Sequence, residues 1–267
     1  MNDNLSNSNN GNRNSLPNNN MDIFYAQSNH NPEMHKYIFQ GSEYIGQLDF
    51  WSATEIKEFG QLLGFECKSL VLDIGSGLGG PICYLSRTYG CNAIGVDACL
   101  QNVEISKERA RSLKLEQKIS FLFGDIINFD FESEKFDFII SIDSIVHIRN
   151  RKKLLEKCYN WLKPNGKFLI ALECVKKDTP KDLIYRRNKL GAVYCDCYEN
   201  YILLFKDAKF SIIYEKRYVN KRRDFSASAL QWMDNNGQIN GRESMEMIKV
   251  LSEKGYAEEY LFIIQKN

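Results

Sequence analysis

The chain has almost no net charge: 35 Lys and Arg against 34 Asp and Glu leave +1 over 267 residues. No global field therefore recommends a nucleic acid or a membrane surface as partner. No window approaches the roughly 18 uncharged apolar residues of a membrane helix, and the N-terminus lacks the basic-then-apolar order of a secretory signal. A cytoplasmic protein without stable membrane insertion is expected. Histidine is scarce, with only His30, His35 and His147. The eight cysteines lack framework spacing, which suits free thiols in a reducing compartment. Cys195 and Cys197 have no second close pair to complete a tetrahedral zinc site. No metal is expected.

What is present is ordinary for a soluble fold: 43% hydrophobic and 26% charged residues exclude collagen, coiled coil and wholesale disorder. Residues 1–20 hold ten Asn and few large apolar groups, so this tail is expected to be disordered and is assigned no function. Residues 21–66 change character. Tyr37-Ile38-Phe39 precede a turn at Gly41, and Ser52-Ala53-Thr54-Glu55 opens a helix with Ile56, Phe59, Leu62 and Leu63 on one side. This reads as a helical cap before a main domain at 67–267.

That domain opens with Leu70-Val71-Leu72-Asp73-Ile74, an apolar run too short for a helix and closed by glycines, hence a buried parallel strand. Helix and strand then alternate in the α/β manner: a helix at 82–88, a strand at 92–97, a helix at 100–113, and strands at 119–124 and 136–142. A helix at 152–162 is expected to stop at the turn Lys163-Pro164-Asn165-Gly166 before a strand at 167–174. Core residues 67–174 are followed by helices near 182–190, 198–207 and 241–254 and by strands at 210–219 and 259–266. The span between the last two strands is long enough to fold over one end of the sheet as a lid.

The strongest local signal is Asp73-Ile74-Gly75-Ser76-Gly77-Leu78-Gly79-Gly80 at the end of the first strand. Gly75 and Gly77 allow a tight turn and close approach of a ligand to the backbone. A carboxylate just before the turn would repel the pyrophosphate that a dinucleotide places there, and instead favours a cationic group. Asp97, about 22 residues after Gly75, can accept from both ribose hydroxyls of a nucleoside. Asp125 and Ile126 supply a third carboxylate and an apolar side chain, suited to an adenine amino group and ring face.

These runs, with Phe136-Asp137-Phe138-Ile139-Ile140-Ser141 and Leu162-Lys163-Pro164-Asn165-Gly166-Lys167, resemble in order and spacing the class I S-adenosylmethionine-dependent methyltransferases. The resemblance covers roughly 70–174. It implies a Rossmann-like, seven-stranded α/β sheet with an N-terminal helical cap and a C-terminal lid insertion, and S-adenosylmethionine as cofactor. It places Asp73, Gly75, Ser76 and Gly77 at the methionine end, Asp97 at the ribose, Leu100, Asp125 and Ile126 at the adenine, and Ser141 beside the cofactor. Methyl transfer is an in-line displacement, so the protein mainly aligns a nucleophile, and a protonated one additionally needs a base with a pKa near neutrality. That points to His147, after the fourth strand, with Asp143 to orient it or bind an amine.

Phe24-Tyr25 and Tyr37-Ile38-Phe39-Gln40-Gly41-Ser42-Glu43-Tyr44-Ile45-Gly46 look like the cap of the phosphoethanolamine and sarcosine/dimethylglycine N-methyltransferases. That likeness implies a small-molecule amine substrate, with Tyr25, Tyr37 and His147 closing over it and Tyr37 sharing the chemistry. Two departures stand out. The phosphoethanolamine enzymes carry Arg-Asp where this chain has Ile142-Asp143, and their lid Tyr and Arg have no clear register with Tyr185, Arg186 and Arg187. The run Lys221-Arg222-Arg223 is either an attractor for an anionic substrate group or a solvated face. C- or O-methylation of a lipid, isoprenoid or specialised metabolite, and a non-catalytic cofactor-binding partner subunit, stay open as alternatives. A nucleic-acid base is disfavoured because Ser141-Ile142-Asp143-Ser144 lacks an Asn/Asp-Pro-Pro-Tyr turn.

Overall fold

The computed structural model describes residues 31–267, so the Asn-rich tail and Tyr25 lie outside the described residues. The first element, α1 (Pro32–Ile38), has proline at its first turn and Asn31 as N-cap, whose side chain accepts from Glu33 N. A 3-10 turn at Gly41–Glu43 leads to α2 (Ala53–Leu63). Here the expected signal is a full capping box: Ser52 and Glu55 each bond the other's backbone N–H. Gly64, at φ +83°, ends the helix in the left-handed conformation.

The α/β alternation follows: β1 (Leu70–Ile74), α3 (Gly80–Tyr89), β2 (Asn92–Asp97), α4 (Leu100–Ser112), β3 (Ile119–Phe123), β4 (Phe136–Ile142), α5 (Arg151–Trp161) and β5 (Leu162–Val175). Then come α6 (Lys181–Gly191), β6 (Asp196–Cys197), α7 (Tyr198–Asp207), β7 (Phe210–Tyr218), α8 (Lys221–Asn236), α9 (Arg242–Glu253) and β8 (Ala257–Lys266). The sheet order is β3-β2-β1-β4-β5-β8-β7, parallel except for β8, which runs antiparallel to both neighbours. The seven expected strands are joined by an eighth, the two-residue β6 beside the end of β5.

Alternation along the strands splits the core into two layers. Leu72, Ile74, Phe168, Ile170 and Phe262 pack with Leu154, Leu155 and Phe205 of α5 and α7. Val71, Ile140, Leu169 and Ile263 face Ile56, Phe59, Ile82 and Val103 of α2, α3 and α4. Strands covered on both faces account for the near-continuous apolar runs of the sequence. No described helix is long and apolar enough to cross a membrane.

Two expectations change. The turn at 163–166 does not precede β5 but lies inside it as an irregularity: pairing with β4 jumps from Phe136–Leu162 to Phe138–Lys167, and Asn165 sits at φ +62° to absorb the extra residues. The region from Lys221, left without an element by the sequence, forms the 16-residue helix α8. Its apolar stripe is thin, Phe225, Ala229 and Met233, and packs on Met34 of α1. The Lys221-Arg222-Arg223 run is divided: Arg223 is partly exposed beside Asp224, whereas Lys221 and Arg222 are paired with acids of other elements. Arg222 is only 2% exposed, beneath the first turn of α8.

Candidate active site

The end of β1 makes the floor. Gly75 N donates to Val96 O at 2.8 Å and Gly79 N to Ser76 O at 2.9 Å, holding the turn against β2. Gly75 has φ +72°, and a Cβ there would fall 2.3 Å from Ser144 Cβ, so only glycine lets the β1 turn and the β4 loop meet. Ser144 Oγ donates to Ile74 O and lies 2.6 Å from Ser141 Oγ, tying the two strand ends together.

Asp97 braces this turn from β2. Its Oδ2 accepts from Gly77 N at 2.8 Å, and its Oδ1 accepts from Cys99 N at 2.9 Å and from Asn102 Nδ2 at 3.2 Å. Three of roughly four carboxylate acceptor sites are thus in use, which leaves room for one ribose hydroxyl and not the two expected. Asp125 caps the 3-10 turn at Ile126–Asn128 by accepting from Ile127 N at 3.1 Å.

Two adjoining cavities of about 70 and 90 Å³ share Leu48, Asp143 and His147. The first is bounded by the glycine turn and by the 46–49 segment, with Asp49, Asp73 and Asp143 on its wall and no Lys or Arg. Asp73 is 3% exposed and, among the described residues, has no hydrogen-bond partner. Burial, with the Asp97 carboxylate adding to it, pushes its pKa up to about 8. Ser76 Oγ, on the same wall, is buried without a hydrogen-bond partner.

His147 sits in the 3-10 turn Ile145–His147 after β4. The Ala192 carbonyl, 2.9 Å from its Nδ1, can only accept, so Nδ1 carries the hydrogen and Nε2 the lone pair. Burial, assisted by the charges of Arg187 and Arg222, lowers its pKa to about 4. This corrects the near-neutral value expected for a base: the imidazole is neutral throughout the physiological range.

The second cavity lies between α1, α6, α8 and α9. Its guanidiniums are matched internally. Arg187 binds Glu173 through Nη2 at 2.8 Å and Nε at 3.1 Å; Arg222 donates to Glu259 and Asp143 and lies 3.5 Å from Glu173. The apolar wall is Met34, Phe50, Phe225, Met245 and Ile248.

Of the residues singled out by sequence, Asp73, Gly75, Ser76, Gly77, Asp143 and His147 line these cavities. Asp97, Leu100, Asp125, Ile126 and Ser141 do not, although Asp97 and Ser141 brace the floor. Leu100 is 52% exposed, and Ile126 packs in the core. Tyr37 is 38% exposed on α1 and lines neither cavity, whereas Met34 and His35 of the same helix face the second. Reading by motif missed Asp49, Glu173 and the pairing of Arg187 and Arg222. Asp49 had one signal, an isolated acid between the apolar residues Leu48 and Phe50; the others become legible only when four elements converge.

Residues 72–170 match a family model described as a methyltransferase domain. The chain is 44% identical over 108 residues to a phosphoethanolamine N-methyltransferase of Plasmodium falciparum, an alignment covering 40% of each chain. The match thus spans less than half of that relative's length. A phosphoethanolamine N-methyltransferase 2 of Haemonchus contortus, solved with S-adenosyl-L-methionine, superposes with a TM-score of 0.76 at 19% identity, over 92% of this chain and 59% of that one. A putative sarcosine dimethylglycine methyltransferase of Galdieria sulphuraria gives 0.74 at 17% identity, over 80% and 85%. Strand order and glycine turn agree with the family match: residues 72–170 carry a methyltransferase domain.

Proposed function

We propose that the chain is an S-adenosylmethionine-dependent N-methyltransferase acting on a small amine. The observation that carries this reading is the first cavity, where a buried, unpartnered carboxylate and glycine backbone at the end of β1 adjoin a neutral histidine. The relatives that methylate phosphoethanolamine support the amine as acceptor.

The residues present fit the cofactor. Asp73 and Ser76 Oγ have unmet hydrogen-bonding capacity at the turn, suited to a cationic amino-acid end, and Asp97 has one acceptor site left for a ribose hydroxyl. Leu100, Asp125 and Ile126, at the ends of β2 and β3, flank the position an adenine would take. When bound, S-adenosylmethionine supplies an electrophilic methyl carbon that takes the amine's lone pair while the carbon–sulfur pair returns to sulfur.

The protein's own part is alignment and proton management. Nε2 of His147 holds or receives the proton that the acceptor nitrogen must lose, and the carbonyl of Ala192 fixes the ring for it. Asp143, held by Arg222 and by Phe50 N at 3.4 Å, orients the loop that carries His147. Tyr37 has no role in this reading.

A labelled-methyl assay over amines, hydroxylated acceptors and carbon acceptors tests it. Transfer to nitrogen is expected, and His147→Ala should lower kcat by about 100-fold with S-adenosylhomocysteine affinity unchanged. Turnover of a hydroxyl or carbon acceptor alone would refute the amine reading.

A further inference from the structure

Carboxyl groups outnumber guanidiniums around the two cavities. Asp49, Asp73 and Asp143 line the first, and Glu173 and Glu259 back the second, against only two guanidiniums, Arg187 and Arg222. Lys221, which neighbours Arg222, pairs with Glu55 at 2.6 Å. Both guanidiniums are already gripped by carboxylates at hydrogen-bonding distance. An anionic group on the acceptor would have to displace one of these buried pairs.

Asp49 is a carboxyl that neither guanidinium binds; burial, with Asp143 beside it, holds its pKa well above the usual carboxylate range, and an adjacent ammonium favours its ionised form. It is 7% exposed, its Oδ1 accepts from Trp51 N at 2.8 Å, and its Oδ2 has no partner among the described residues. It borders the first cavity together with Asp73 and the glycine turn. If Asp73 answers one cation at the turn, Asp49 remains for a second. Beyond Asp143 and His147 the wall is mostly apolar, with Met34, Phe50, Phe225, Met245 and Ile248, and its polar members are Ser244, His35 and the two paired guanidiniums.

Resting on the N-methyltransferase reading, we propose that the acceptor is an amine with an apolar, non-anionic substituent, and that Asp49 receives its ammonium. The substituent occupies the second cavity against Phe50 and Phe225. Asp49 is thereby a specificity-determining residue that admits the amine and repels phosphate-bearing analogues.

The test compares 2-phenylethylamine, ethanolamine and phosphoethanolamine as acceptors for the full chain. KM should rise in that order, with about tenfold between the first and the last. Asp49→Asn keeps the acceptor oxygen for Trp51 N and so keeps the turn. It should raise KM for 2-phenylethylamine about tenfold, leave S-adenosylhomocysteine affinity within about twofold, and narrow the gap to phosphoethanolamine. A structural role alone would shift all three acceptors together, which overturns the proposal. So does a wild-type preference for phosphoethanolamine, which leaves the amine reading intact, whereas transfer to no amine at all overturns both.

Discussion

Asp73 shows how one residue carries a site. Near the end of β1 it is buried on the wall of the first cavity, and a pKa of about 8 leaves roughly nine-tenths of it protonated at pH 7. The folded chain then holds a proton that the unfolded chain has lost, so Asp73 withdraws stability as pH rises from about 4 toward 8. A cation beside it favours the ionised form. Binding of S-adenosylmethionine at pH 7 should therefore release close to one proton. Calorimetry in buffers of different ionisation enthalpy measures this, and Asp73→Asn should abolish it. Sequence marked this residue because an acid before a glycine turn is chemically distinctive. Asp49 had only the weak signal of an isolated acid between Leu48 and Phe50, because its weight comes from the cavity that it lines.

At the scale of elements, helix α8 is fastened to the sheet by its first turn. Lys221 pairs with Glu55 of α2 and lies 4.2 Å from the Trp51 ring centre, while Arg222 reaches Glu259 on β8 and Asp143 after β4. Phe225, one turn on, packs edge-on to Phe50 at 4.5 Å between centres. Removing the Arg222 charge leaves buried carboxylates unpaired, and Arg222→Met should cost about 3–5 kcal/mol in urea unfolding. A loss near zero would mean that α8 is held by its apolar stripe alone. The sequence was opaque here for a physical reason. Three consecutive cations commonly mark solvent, and nothing local indicates that Glu173, Glu259 and Asp143 arrive from three strands to bury the middle one.

For the whole molecule, the sheet order β3-β2-β1-β4-β5-β8-β7 brings the ends of β1, β2 and β4 to one rim, where the glycine turn, Asp97 and His147 converge. A ligand that binds only the native state raises its stability by about 2.7 kcal/mol at a hundredfold excess over Kd. S-adenosylhomocysteine should therefore raise Tm by about 5 °C in a thermal scan, and a nicotinamide dinucleotide should not. By itself the sequence determined the α/β layering, the bounds of most strands and helices, the glycine turn and the acids beside it. Those are written in local periodicity, capping residues and spacing, which need no partner to be read. Only the tertiary structure decided that Arg222, in the basic run of α8, is buried, that Met34 and His35 line a cavity while Tyr37 lines neither, and that His147 is held neutral. Each depends on which groups from distant segments surround it, because burial and pairing set the cost of a charge, and neither is a property of the neighbours along the chain.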